Sequence, residues 1–270
     1  MTKEIVKEAS EPKFKLITGV VKRAQKFIVY GKTAVGKSCF ATQFPNPIMI
    51  QAEDCGGTID SPRLPVCHSV KDMFIQLDEV LNGSYGKYDT VIVDSIKVLE
   101  RLIGDKSCAD LGIDTLGDIK FGVAYANAMV WWSRFTDVLD KFIEKDINVV
   151  LIGHERVRTV KGTVDDEYET TTVDLMAWGT QYTPTEWLYS WSDHILYLAH
   201  KIITKTVDSG LGGSRTIPVG TGNRVIYTGS ENPAYMAKSR FNMPPELPYK
   251  KGEGYKVIEK YLNVTEKGTK

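Results

Sequence analysis

Beyond a polar, lysine-rich stretch of 25 residues, short apolar runs alternate with longer segments whose apolar residues recur at helical spacing. The runs are Phe27-Ile-Val-Tyr30, Ile48-Met-Ile-Gln-Ala52, Thr90-Val-Ile-Val93 and Asn148–Gly153. Each is short and ends at glycine or at acidic, turn-forming residues, as strands buried on both faces do. Residues 36–44 predict a helix closed by Pro45-Asn46-Pro47. Ser69 predicts a cap, with Asp72 three residues on, for a helix that runs to about Leu81 and stops at Asn82-Gly83. Val130, Phe135, Val138, Leu139 and Phe142 give residues 122–145 one apolar face. Strands that alternate with helices imply right-handed crossovers. The expected fold is therefore α/β, with a mainly parallel central sheet flanked by helices.

The pattern then changes. His194–Ile203 and Arg224–Thr228 flank Gly210, Gly212, Gly213, Gly220 and Gly222, which predicts an antiparallel hairpin near the C-terminus with a mobile connection. Residues 104–118 are polar and contain glycine, and they read as a loop. Pro244, Pro245 and Pro248 end regular structure, and residues 253–263 predict a last short helix. The expected organisation is an N-terminal arm (1–25), one domain (26–247) and a C-terminal tail (248–270).

Composition narrows the class. The 270 residues are 42% hydrophobic and 25% charged, which excludes a disordered chain, a collagen-like chain and a coiled-coil rod. The longest apolar runs fall far below the ~20 residues a membrane-spanning helix requires, so no membrane partner is expected. Cys39, Cys55, Cys67 and Cys108 form no CxxC pair, and no basic-then-apolar leader opens the sequence. A cytoplasmic protein without structural zinc is the expectation. Lys+Arg and Asp+Glu both total 34, yet residues 201–270 hold 12 basic against 6 acidic side chains, leaving 22 against 28 before them. That basic quarter suits phosphates or a solvated surface equally well.

The chemistry starts at Gly31-Lys-Thr-Ala-Val-Gly-Lys-Ser38, a complete GxxxxGKS/T motif after a strand and at a helix start. Gly31 and Gly36 let the backbone fold so that successive N–H groups point inward at phosphate, and the helix beginning near Lys37 adds its positive end. Lys37 is placed to reach β- and γ-phosphates, while the Ser38 hydroxyl ligates Mg²⁺. The expected nucleotide-binding residues are Gly31, Lys32, Thr33, Ala34, Val35, Gly36, Lys37, Ser38 and Cys39, with ATP and Mg²⁺ as cofactors. Asp94 ends the strand Thr90–Val93, at the sheet edge where ligands of parallel sheets collect, and is the second expected metal residue. Glu53 follows the strand after the P-loop helix and is placed to act as the base for the attacking water; Asp54 competes for that role.

Together these residues resemble the RecA-type ATPase core. The order of P-loop, Ala52-Glu53 and Val91-Ile-Val-Asp-Ser95 matches it, and a long helix leads into Val149-Val-Leu-Ile-Gly-His154. The Ala237-Lys-Ser-Arg-Phe241 segment and the short chain most resemble the small RecA-core ATPases that bacteriophages encode for recombination and single-strand annealing. The resemblance spans roughly residues 26–245. It implies an ATPase acting on single-stranded DNA, in host cytoplasm if phage-encoded. It further implies self-association into a filament or ring with ATP at subunit interfaces, and a single-strand-binding protein as a candidate partner.

Residue by residue, the resemblance makes Glu53 the catalytic base and places His154, where bacterial RecA commonly has glutamine, as a γ-phosphate sensor. Lys238 and Arg240 become fingers reaching a neighbour's ATP. Two DNA loops are implied, near 104–122 and 155–180. The second opens with Arg156, Arg158 and Lys161, the expected nucleic-acid residues, and turns acidic at Asp165, Asp166, Glu167 and Glu169. Tyr168, Trp178 and Tyr182 are the nearby aromatic platforms, and Arg215 with Arg224 is a second basic strip. RecA's longer C-terminal domain and helical N-terminal module have no clear counterpart in these residues, so strand exchange by this chain alone is not the expectation. A hexameric helicase-like or KaiC-like ring shares the core. A small-molecule P-loop kinase is a further alternative, but no arginine-rich lid lies between the P-loop and Asp94.

Overall fold

In the computed structural model, alternate residues of each apolar run point to opposite faces of one sheet. Residues 16–262 are described, except 20, 163–165, 181, 211–212 and 230. Most of the expected arm, Asp165 and the tail beyond Leu262 lie outside them. The first half holds β1 (Lys26–Gly31), α1 (Lys37–Ala41), β2 (Pro47–Gln51), α2 (Val70–Leu81), β3 (Thr90–Asp94), α3 (Ile96–Leu111) and α4 (Val123–Glu144). The second holds β4 (Asn148–Lys161), β5 (Glu167–Val173), α5 (Pro184–Trp191), β6 (His194–Gly210), β7 (Gly213–Tyr227), β8 (Lys238–Ser239), β9 (Glu246–Tyr249) and α6 (Gly254–Leu262).

The sheet runs β2-β3-β4-β1-β6-β7-β9, with β5 on β4 and β8 on β6. Its five strands from β2 to β6 are parallel, and β6–β7 forms the antiparallel ribbon. Period-two alternation divides the core. Ile28, Tyr30, Val91, Val93, Val149 and Leu151 pack under α2, α3 and α4. Phe27, Val29, Ile92, Val150 and Ile152 face α1 and α6. The fold is an α/β P-loop NTPase fold.

Local signals explain the elements that matched. Ser69 Oγ accepts from the Asp72 N–H at 3.1 Å, and Asp72 accepts from the His68 N–H at 3.0 Å, so α2 begins at a reciprocal cap. Elsewhere the structure corrects the expectation. α1 is only five residues long, because Gln43 and Phe44 bond back three residues to Phe40 and Ala41 as Pro45 approaches. α3 continues through Gly104 to Leu111, so the first expected loop begins only at Gly112. On α4, Val130 is exposed, and Trp132 fills the core beside Phe135, Leu139 and Phe142. The expected mobile connection is instead a ribbon paired out to Gly210 and Gly213. Its β-branched residues favour strand, and with both faces largely open it tolerates the glycines.

α6 covers the back of α1. Tyr255 donates its N–H to Gln43 Oε1 at 3.2 Å and sets its ring 4.5 Å from Phe44. A β-carbon on Gly254 would lie 2.3 Å from Phe40 Cδ2.

Candidate active site

Parallel register brings the carboxyl ends of β2, β3, β4 and β1 to one edge. Gln51 pairs with Asp94, Asp94 with Ile152, and Gly31 with His154. The P-loop turns out of β1 at Gly31, where φ is 155° and a β-carbon would stand 2.3 Å from the Leu198 carbonyl oxygen. Only glycine fits so close to β6. A cleft of about 260 Å³ opens above this edge, lined among others by Lys37, Ser38, Glu53, Cys55, Asp94 and His154.

Lys37 is buried and donates its ammonium to the Gly31 and Lys32 carbonyls at 2.9 and 3.2 Å. Burial holds its pKa below the ordinary lysine value, opposed by Asp94, Glu155 and Glu53. Ser38 Oγ donates to Asp94 Oδ2 at 2.6 Å, and the Cys55 thiol lies 3.4 Å from the same oxygen. Burial raises the Asp94 pKa, while the Ser38 and Cys55 contacts pull it back. Burial, then Asp94, pushes the Cys55 thiol up to about 12, so it stays protonated and donates.

This donor set fits magnesium. Ser38 and Asp94 offer two hard oxygens side by side, and Mg²⁺ is held by few protein oxygens, its own waters and substrate phosphates. Among the described residues no group of three His, Cys, Asp or Glu side chains could form a cage of protein ligands.

Glu53 enters the cleft from the turn after β2, held by its N–H to the Asp94 carbonyl at 3.0 Å. Its Oε2 accepts from Ser95 Oγ at 2.9 Å and lies 3.4 Å from His154 Nε2. Asp54 instead turns onto its own loop, accepting from the Gly56 N–H at 2.9 Å. The structure thus brings Glu53, rather than Asp54, against Ser95 and His154.

A family model described as an AAA domain matches residues 23–241. The chain belongs to that family. A search among curated proteins returned no match. In this AAA domain every residue of the cleft edge falls within the matched span, which supports a nucleotide-binding ATPase.

The remaining expected residues lie elsewhere. Lys238 and Arg240 flank the amino end of β6, where Ile195 pairs with Lys238 and His194 with Ser239. That is three to four residues back from Gly31, roughly 10–13 Å along the strands, on the far edge of the AAA domain's sheet. Lys238 donates to the Tyr189 carbonyl, and Arg240 Nε pairs with Asp193 at 2.9 Å. Neither of these contacts is with the P-loop. Arg156, Arg158 and Lys161 stand on the β4–β5 hairpin rather than on an irregular loop. Arg158 donates to the Leu175 carbonyl at 2.6 Å, and strand alternation puts Lys161 on the face opposite the two arginines. Tyr182 is fully buried, so it is no platform; Trp178 is exposed and stacks on Tyr125 at 4.5 Å.

Two residues at this edge have no role in the sequence motifs, and a third, Arg224, was expected in a DNA strip instead. Ser95 follows Asp94 in the quoted motif and was assigned no role. Cys55 carries no local signal, since its contact with Asp94 crosses 39 residues. Arg224 comes beside Gly36 from β7.

Proposed function

We propose that the chain is an ATP-hydrolysing, RecA-like protein that acts on single-stranded DNA, in phage-type recombination, annealing or replication. The observation that supports this most is the gathering of Lys37, Ser38, Glu53, Asp94 and His154 at one sheet edge. Lys37 exchanges the Gly31 and Lys32 carbonyls for β- and γ-phosphate oxygens. Ser38 and Asp94 would hold Mg²⁺, which would offset the charge of the polyphosphate. Glu53 orients the attacking water and takes its proton, with the Ser95 hydroxyl fixing the carboxylate. His154 turns Nε2 from Glu53 to the γ-phosphate, which frees the carboxylate oxygen for water.

On this reading subunits self-associate with nucleotide between them. Lys238 and Arg240 then serve a neighbour's γ-phosphate, because their own lies across the sheet. Arg156 and Lys161, which make no ion pair among the described residues, contact the DNA backbone, while Trp178 and Tyr168 offer faces to its bases. Arg158 positions the hairpin.

The test is the ATPase rate with and without single-stranded DNA. Stimulation without any acceptor molecule is expected. A rate indifferent to DNA but raised by a small-molecule acceptor would assign a kinase. Trans action is read by mixing Lys238→Ala/Arg240→Ala protein with Glu53→Gln protein, each inactive alone. Partial return of activity is expected. No return, despite demonstrated co-assembly, rejects the trans role.

A further inference from the structure

We propose that Arg224 is a second phosphate-binding cation of the P-loop, acting within its own subunit on the α/β end of the nucleotide. The proposal rests on the nucleotide-binding reading of the cleft. On β7, Arg224 pairs with His200 of β6 on one side and Tyr249 of β9 on the other. Leu198 of β6 lies beside Gly31 and opposite Ile226, so Arg224 stands two positions farther out, past the end of β1. Alternation turns it to the same face as Ile226, the face on which α1 and the P-loop pack.

The contact itself is close. A β-carbon built on Gly36 would lie 3.9 Å from both Cζ and Nη2 of Arg224. Nε is buried and makes no hydrogen bond to a described residue, and neither does the Tyr249 hydroxyl on the adjoining strand. Among the described residues no carboxylate lies within ion-pair distance of Arg224. Arg23 and Arg240, by contrast, are both paired with Asp193.

A half-buried guanidinium without an anion is costly, and its planar fork is shaped for two oxygens at once. Gly36 and Lys37 belong to the phosphate-loop motif, so one phosphate group bound there would serve Lys37 and Arg224 together. Position selects which phosphate. Glu53 and His154 lie toward β2 and β4, on one flank of β1, whereas Arg224 comes from β6–β7 on the other. Gly36 precedes Lys37 in the segment that cradles the α- and β-phosphates. Arg224 therefore contributes to holding ATP and ADP alike. The sequence reading paired it with Arg215 as a DNA strip, but nine strand residues, ~30 Å, separate them.

The experiment is calorimetric titration of Mg·ATP and of Mg·ADP into wild type, Arg224→Ala and Arg224→Lys. Arg224→Ala should weaken both nucleotides by a similar factor, about tenfold or more for a lost charge-assisted contact. Arg224→Lys should recover part of that affinity. Arg224→Gln, which keeps most of the side-chain bulk, should match the alanine variant, and both should keep the wild-type melting temperature or exceed it. Loss confined to ATP would move Arg224 to the γ end and overturn the proposal. Unchanged affinity for both nucleotides, with weakened binding of single-stranded DNA, would return it to the DNA strip. Wild type that bound neither nucleotide would sink the nucleotide-binding reading as well, whereas unchanged variants beside a binding wild type sink this proposal alone.

Discussion

Asp94 and Asp193 are buried aspartates at opposite edges of one sheet, and their surroundings differ in kind. Asp193 is sealed from solvent and saturated: Oδ1 meets Arg23 at 3.2 Å and Arg240 at 2.9 Å, and Oδ2 accepts the Lys26 N–H at 3.1 Å. Asp94 has only a hydroxyl and a thiol, both on Oδ2, and among the described residues no cation within ion-pair distance. Burial accordingly raises its pKa. A carboxylate that holds a fold together has its partners built in. Asp94, which on the proposed reading serves a ligand, is left short of positive charge, at a standing cost in stability.

Replacing each carboxylate is the most direct way to break that comparison. Asp193→Ala should cost about 3 kcal/mol in urea unfolding. It strands the Lys26 N–H and leaves a cavity, but Arg23 and Arg240 are about half exposed and regain water. Asp94→Asn should change stability by less than about 1 kcal/mol, or raise it, while turnover falls. Equal losses would erase the distinction.

Charge at the cleft edge should matter for rate and little for folding. Glu53→Gln is expected to keep nucleotide affinity and melting temperature and to lower turnover ~10²-fold, about 2.7 kcal/mol. Undiminished hydrolysis would pass the role to Asp54, with Asp54→Asn as the next measurement.

Acid should act on the saturated edge. His194 is buried between Phe27 and Phe241, 4.8 and 5.2 Å away, and burial lowers its pKa to about 4, against the pull of Asp193 and with help from Lys238 and Arg240. The unfolded imidazole takes its proton near 6.5, so stability present above that pH is lost as the pH falls toward 4. Between pH 7 and 5 this amounts to about 2 kcal/mol. The urea midpoint of His194→Phe should fall less over that range than wild type; an equal fall would locate the acid sensitivity elsewhere.

How legible each part was depended on whether its cause is local. The central strands stand out because both faces are apolar. α3 does not, because Glu100 and Ser107 occupy buried positions and Gly104 interrupts the pattern. Glu100 is tolerated there by Lys97 and by the Met176 N–H, 76 residues away. The ribbon was hidden by its glycines. At the site, the P-loop and Asp94 are readable because each is contiguous with the strand that positions it. Glu53 was expected from the sequence, but its contacts with Ser95 and His154, which set it apart from Asp54, were not, and the pairing of Arg240 with Asp193 has no trace in the sequence around either residue.

The seating of α6 on α1 also has a consequence in time. Gln43 and the Tyr255 that binds it are 212 residues apart. At a synthesis rate of ~5–20 residues per second, the aromatic flank of the P-loop helix waits roughly 10–40 s for its cover. During that interval Phe40 and Phe44 offer a sticky surface on a half-made chain. The P-loop, although it precedes most of the chain, is thus among the last parts of the molecule to gain its full support.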